Sequence, residues 1–501
     1  MRYEYKTLAK IRHQVFSEVS KVSFEGDANK LKEIPYKIIS GEVGQYRDSV
    51  FLERAIVSER VRLALGLSLR PINIPQDFNT KLKEALIEEK YYEPPLINVI
   101  KFACNKCEVN MYEVSNLCRG CLAHPCMEVC PKQCISFKDG KAFIDQPNCI
   151  QCGQCLKVCP YTAIIHKVRP CAEACGMDAI GSDEFGRADI DYDKCVSCGM
   201  CLVNCPFGAI ADKSQIYQLI QAIKSKTKVI AIVAPAYEGQ FGNKVSFVDF
   251  KNALLKTGFD DVHEVAVGAD LCTIEEAEDF LKNVPENLDF MATSCCPSWS
   301  VMAKKYFPEF KDNISMALTP MVLTARLIKE TNQDSKIVFI GPCSAKKLEA
   351  SRKDVRSEVD FVITFEELSG ILEARNIEIL NEHPIEQSNE ASGSGRGFAV
   401  GGGVAQAVVG VIKNIHPEMD VKVNSADGLR QCRNMLNEAK TGKYDGYLLE
   451  GMGCPGGCVA GAGCIVNPRV AKGKVKLAVK KSELKTSDES KYADKLGLIN
   501  R

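Results

Sequence analysis

The 501-residue chain has no apolar run long enough to cross a bilayer, no net charge, and no cysteine before Cys104. The first absence argues for a soluble protein with no membrane partner. With 64 basic and 64 acidic side chains, the chain has no electrostatic pull on nucleic acid. Met1 to Tyr5 and the charged residues after them do not make a secretory leader, so the protein is expected in the cytoplasm. The glycine-rich stretch Ser392 to Val404 follows no clear strand and contains neither a GxGxxG frame nor a phosphate-loop lysine, which argues against a dinucleotide site. With no flavin or nicotinamide motif either, direct reduction of NAD is not expected. Residues 1 to 100 show helical apolar spacing, as in Ser49 to Leu69, and name no chemistry.

What the chain has in excess is cysteine: 25 in all, seventeen of them between Cys104 and Cys205. In a small secreted protein this would mean disulfides; in a long chain without a leader it means metal, in oxygen-poor surroundings. Cys149, Cys152, Cys155 and Cys159-Pro160 follow the pattern CxxCxxCxxxCP, and Cys195, Cys198, Cys201 and Cys205-Pro206 repeat it. This is the bacterial ferredoxin run, whose fourth cysteine serves the neighbouring 4Fe-4S cluster. A zinc ribbon needs only two CxxC pairs. Cys118, Cys121, Cys126 and Cys130-Pro131 form a variant with a longer gap.

Interleaving these runs makes one two-cluster module, with Cys118, Cys121, Cys126 and Cys159 in one set and Cys149, Cys152, Cys155 and Cys130 in the other. Cys171 and Cys175 look like the second half of a further run. If Cys175 completes the set of Cys195, Cys198 and Cys201, then Cys171 and Cys205 need partners. Cys104 and Cys107 could supply them as a fourth cluster, or could form a redox-inert pair or small metal site. Cys134 is left over and reads as a buried thiol; His124 reads as a polar contact or a tuning group. Such clusters are a wire for single electrons, with potentials set by burial and hydrogen bonds to sulfur.

The chemistry must therefore lie beyond the helical connector Lys213 to Lys226. Strand candidates follow at Val229 to Val233, Leu288 to Ala292, Ile337 to Ile340, Phe361 to Thr364 and Gly446 to Leu449, with helical patterns at Val245 to Thr257, Ile274 to Asn283 and Ala317 to Thr331. That alternation predicts parallel sheets covered by helices, with functional loops at strand ends. Three of the strands lead into cysteine segments: TSCCPSW (Thr293 to Trp299), GPCSAKKLE (Gly341 to Glu349) and EGMGCPGGCVAGAGC (Glu450 to Cys464). Glycine allows close backbone approach, so the last segment reads as a loop wrapped on a compact object. Cys296, Cys343, Cys454 and Cys458 would make the four thiolates of a 4Fe-4S cube.

The fold class expected is α+β multidomain: a helical N-terminal region over 1–100, a ferredoxin-like multi-cluster domain over 101–220, and an α/β catalytic domain over 221–501 with parallel sheets flanked by helices. Cys272 and Cys432 are expected in the core, Cys464 as a packed thiol behind the ligands, and the lysine-rich tail after Pro468 as a terminal helix.

Over roughly Lys228 to Pro468 the three segments match TSCCPxW, PCxxKxxE and ExMxCxxGCxxGxG in that order, and here the chain resembles the FeFe hydrogenases. The resemblance implies an H-cluster, its cube held by Cys296, Cys343, Cys454 and Cys458. Cys458 would also bridge to a diiron unit carrying carbonyl, cyanide and azadithiolate, at which H2 is reversibly interconverted with protons and electrons. It implies Cys295 as terminal proton-relay thiol, Lys346 as an ammonium bonded to cyanide, and Met452 as packing on the diiron unit. Glu276, Asp279 and Ser315 would continue the proton path, the two carboxylates sharing one helix face.

Gly402 and Gly403 resemble a pair that opens a helix near the active centre. The implied partners are a ferredoxin or similar carrier, fed through three to four additional 4Fe-4S clusters, and maturation proteins that build the diiron unit. Departures at Gly341, Ala236, Met321 and the ending GAGCIVNP point to a less studied monomeric subgroup. Two other classes share parts of the pattern. One is a hydrogen-sensing regulator, for which no appended sensory module is evident. The other is a Narf-like iron-sulfur assembly protein, against which Cys295, Lys346 and the complete EGMGC segment argue.

Overall fold

In this computed structural model, residues 7–353, 355–380, 382–383 and 389–499 are described. Val229–Val233 is apolar and buried at every position, and such a run requires a sheet covered on both faces. It lies inside a four-stranded parallel sheet in the order Asp261–Glu264, Val229–Val233, Lys336–Gly341, Phe361–Thr364. A second parallel sheet has the order Met291–Ala292, Tyr447–Met452, Lys422–Asp427. Between the strands run the helices Phe247–Thr257, Ala266–Asn283, Pro320–Lys329, Phe365–Ala374, Gly403–Ile415 and Leu429–Ala439. The Phe247 and Phe365 helices start at full capping boxes, Ser246 with Asp249 and Thr364 with Glu367.

The strands expected from apolar runs are present, though Leu288 to Ala292 contracts to Met291–Ala292 because Asp289 is exposed. Two strands carry no such run, Asp261–Glu264 and Lys422–Asp427. Both are sheet edges with mixed burial, so their sequence never had to be continuously apolar. In the first sheet, the earliest strand has its successor on one side and Lys336–Gly341 on the other. The crevice beyond the carboxyl ends at such a reversal is where open α/β sheets hold ligands.

The N-terminal helices form a wall of this core. Thr7–Glu25 packs along Phe365–Ala374 and Ile216–Lys224, and Val15, Val19 and Val22 share one cluster with Val229–Val233. Arg12 Nε donates to Glu366 at 2.9 Å across that contact. Residues 97–99 pair antiparallel with Ile210–Asp212, so the strand just before the first cysteine closes on the far end of the cluster region. That region is built of short antiparallel pairs and one-turn helices such as Gln154–Val158 and Met200–Asn204. Among the described residues no helix is long and apolar enough to cross a membrane.

Candidate metal centres and active site

The cluster region repeats one local conformation. In Cys118–Cys121, Cys149–Cys152 and Cys195–Cys198 the residue before the second cysteine is left-handed: Gly120 at φ 59, Gln151 at φ 57 and Ser197 at φ 55. A side chain in that region costs about 1 kcal/mol, so the turn is held for a purpose. It aims backbone N–H groups at sulfur: Gln151 donates to Cys149 Sγ and Ser197 to Cys195 Sγ, each at 3.4 Å. Lys106, before Cys107, has the same conformation at φ 52, and Ala188 N donates to Cys104 Sγ at 3.3 Å.

The thiols gather in fours. A cavity of about 390 Å³ is lined by Cys118, Cys121, Cys126 and Cys159, with His124 at its wall, its ring tilted against Phe137 with centroids 4.5 Å apart. Another, of about 300 Å³, is lined by Cys104, Cys107, Cys171 and Cys205. Cys175 lies among Cys195, Cys198 and Cys201, where burial and then the neighbouring thiols push Cys201 well above its ordinary pKa. Burial first, and then the other thiols, likewise raise Cys171 to about 11. Binding iron at such sites must release protons. Among the described residues no three His, Cys, Asp or Glu side chains converge as on a single ion. Thiols set around a cavity, several of them met by backbone N–H donors, instead fit a polynuclear iron-sulfur cluster.

The largest of these cavities, about 800 Å³, opens at the carboxyl ends of both parallel sheets. Val229–Val233 delivers Ala234 and Ala236 to it, Lys336–Gly341 delivers Cys343, Met291–Ala292 delivers Cys295 and Cys296, and Tyr447–Met452 delivers Met452, Cys454 and Cys458. Its wall is overwhelmingly apolar, and both Ala236 and Met321 are part of it. Burial, and then Cys343, Cys296, Cys458 and Cys198, hold the Cys454 thiol well above its ordinary pKa. Cys198, from the cluster region, lines the same cavity.

Around the cavity the polar side chains are few. Lys346 is buried, with Nζ 2.6 Å from Glu349 Oε2 and 3.3 Å from the carbonyl of Cys295. Burial works against its charge, but the Glu349 carboxylate outweighs this and keeps it an ammonium. Cys295 is raised by burial and then by Glu276. Glu276 itself is fully buried and accepts from Ser294 N at 3.1 Å through Oε1, while its Oε2 meets no hydrogen-bond partner among the described residues. Burial pushes it up to about 8. Asp279, one turn further along Ala266–Asn283, is partly exposed and also raised by burial. Cys272 and Cys432 are fully buried, and Cys464 Sγ sits behind Cys458, 3.6 Å from its carbonyl.

Sequence reasoning missed what the first and last segments do for each other. Glu450 is buried and accepts from Gly402 N and Ala405 N, each at 2.9 Å, capping the helix Gly403–Ile415 opposite its dipole. Gly453 N donates to Cys296 Sγ at 3.3 Å. Glycine was expected to admit the bound group, yet two of these glycines admit protein. A Cβ on Gly451 would stand 2.2 Å from the Trp299 ring, and one on Gly457 2.5 Å from Gly401 N. Gly451→Ala is therefore expected to destabilise the protein by about 1–3 kcal/mol through overpacking. Thermal unfolding checks this, and an unchanged midpoint would refute the contact.

A family model described as the iron-only hydrogenase large subunit, C-terminal domain, matches residues 227–462. A 4Fe-4S dicluster domain matches residues 117–163, and an LdpA Fe-S cluster-binding domain matches 165–216. Iron hydrogenase 1 of Clostridium pasteurianum is 29% identical over 393 residues, covering 68% of each chain. The periplasmic Fe hydrogenase large subunit of Nitratidesulfovibrio vulgaris is 27% identical over 379 residues, 65% of this chain and 87% of that one. A probable cytosolic Fe-S cluster assembly factor of Aedes aegypti is 27% identical over 292 residues, 47% of this chain and 60% of that one. With three cysteine segments meeting on one cavity inside the matched region, the chain is FeFe-hydrogenase-like over residues 227–462, with 4Fe-4S cluster domains before that region.

Proposed function

We propose that the protein is an FeFe hydrogenase working in the cytoplasm in oxygen-poor surroundings. The observation that carries this reading is the single apolar cavity on which Cys295, Cys296, Cys343, Cys454, Cys458, Lys346 and Met452 converge. Cys296, Cys343, Cys454 and Cys458 would hold the cube of an H-cluster, with Lys346 and Met452 holding its diiron unit. When bound, that group supplies the reversible interconversion of H2 with two protons and two electrons.

The chain's own residues handle the protons. Cys295 holds one at Sγ on the cavity wall and exchanges it with the neighbouring Glu276 carboxyl, which at about 8 is protonated at neutral pH and able to donate. Ser315, near that carboxyl, and Asp279 on the same helix face would carry the exchange to solvent. The apolar wall, including Ala236 and Met321, keeps water from the reacting atoms. Lys346, an ammonium held by Glu349, offers its charge to an anionic ligand.

Electrons enter through the cluster region. The set of Cys175, Cys195, Cys198 and Cys201 abuts the active cavity through Cys198, and the remaining sets lead out toward the exposed Cys152, where a ferredoxin-like carrier would dock.

The similarity to an Fe-S assembly factor favours a second reading, in which the same fold handles iron-sulfur clusters without a diiron unit. Infrared spectroscopy of protein matured anaerobically with the diiron-building proteins, paired with H2 evolution from reduced methyl viologen, separates the two. Carbonyl and cyanide bands with turnover are expected. Bands without turnover would make the protein a hydrogen sensor, and no bands despite intact 4Fe-4S clusters would leave the assembly reading.

A further inference from the structure

Each distal cysteine of the cluster region is followed by one turn. Three residues after Cys130, Cys159, Cys175 and Cys205 stand the left-handed Gln133, Thr162, Asp178 and Gly208. Four residues after them stand the buried Cys134, Ala163, Ala179 and Ala209. The three alanines donate backbone N–H to their cysteine sulfurs at 3.3, 3.4 and 3.3 Å. Cys134 donates its backbone N–H to Cys130 in the same way. It also brings a thiol that the other three turns lack. Its Sγ lies 3.5 Å from Cys130 Sγ and within hydrogen-bond reach of Cys149.

Cys130 and Cys149 belong to one ligand set with Cys152 and Cys155. Two sulfurs in contact cannot cap separate corners of one cube, and Cys130 carries the Cys-Pro signature shared with Cys159 and Cys205. Cys134 is thus the thiol beside the ligand. Ile135, Ala142 and Ile144 pack around it, and in such surroundings a hydrogen bond to a charged sulfur is stronger than in water.

We propose that Cys134 is a potential-setting residue: its S–H donates to the Cys130 sulfur and stabilises the reduced form of the cluster held by Cys130, Cys149, Cys152 and Cys155. Hydrogen bonds to ligand sulfur favour the more negative, reduced cluster and so raise its potential. This rests on the cluster assignment above. The cluster nearest the exposed Cys152 then accepts electrons more readily than it would with an alanine at position 134.

The test is a potentiometric titration followed by electron paramagnetic resonance on the reconstituted full chain, its Cys134→Ala variant and its Cys134→Ser variant. Alanine is what the other three turns carry, so the fold accommodates it. With Cys134→Ala, one cluster is expected to move to a more negative potential while the others stay. Cys134→Ser, which keeps a donor, brings that cluster back toward the original value. Unchanged potentials in Cys134→Ala overturn the proposal. So does loss of four irons in that variant, which would make Cys134 a ligand. Iron analysis of the unsubstituted chain tests the underlying assignment separately: iron short of this cluster would defeat the four-thiol set and the proposal with it.

Discussion

On the proposed hydrogenase reading, Cys295→Ala is expected to lower H2 turnover by at least about 10²-fold while the carbonyl and cyanide bands persist, because it would remove the proton donor and no cluster ligand. Cys295 is the thiol on the cavity wall next to Glu276, and most of the surrounding lining is apolar. Cys295→Ser fares little better, since a hydroxyl matches the size of the thiol but is a far weaker acid. Glu276→Gln keeps the hydrogen bond from Ser294 N and removes the exchangeable proton, so it is expected to lose turnover on a similar scale. The pH profile carries the sign of the effect. Burial pushes Glu276 up to about 8, so its carboxyl keeps its proton at neutral pH and loses it as pH rises through about 8. H2 evolution should fall over that range. Near-native turnover in Cys295→Ala with intact infrared bands would remove Cys295 from the proton path.

Lys347→Met is expected to cost about 3–5 kcal/mol of folding free energy, the scale for stripping one partner from a buried ionic group. The Lys347 side chain is 1% exposed, and its ammonium bonds Asp212 Oδ2 at 2.8 Å, the carbonyl of Lys213 at 2.9 Å and Glu367 Oε1 at 2.8 Å. Glu367 already serves the capping box of its helix, and Asp212 ends the strand that closes the cluster region. Methionine would leave two carboxylates facing each other without a cation, one residue beyond Lys346 and four beyond Cys343. Adding Asp212→Asn and Glu367→Gln to Lys347→Met should recover part of the loss, because the penalty is the uncompensated charge and not the missing bonds. Anaerobic denaturant unfolding measures both. A loss below about 1 kcal/mol for Lys347→Met would mean water reaches the site and screens it.

Ligand chemistry was legible in the sequence because it is local. A CxxC turn is four residues long, and its spacing announces a cluster whatever surrounds it. The same holds for the strands that lead into GPCSAKKLE and EGMGC, since a strand buried on both faces is mostly apolar. The edge strands Asp261–Glu264 and Lys422–Asp427 escaped notice because one flank needs no burial. A helical N-terminal region was legible too, but not its place. Nothing in the periodicity of Thr7–Glu25 says that Val15 and Val19 complete the core beneath Val229–Val233.

The sequence by itself therefore singled out the cysteines that are candidates to bind iron and showed that the later ones follow strand ends, because both come from short-range spacing and hydrophobic period. Only the tertiary structure decided which distant groups share a site. It set Cys104 and Cys107 on one cavity with Cys171 and Cys205, placed Cys198 on the wall of the cavity that Cys296, Cys343, Cys454 and Cys458 line, and laid Gly451 against Trp299. It also made Glu450 a helix cap and Lys347 a cross-link to the cluster region. These partners are separated by tens to hundreds of residues, and their meeting depends on how sheets and helices pack, which no local pattern records.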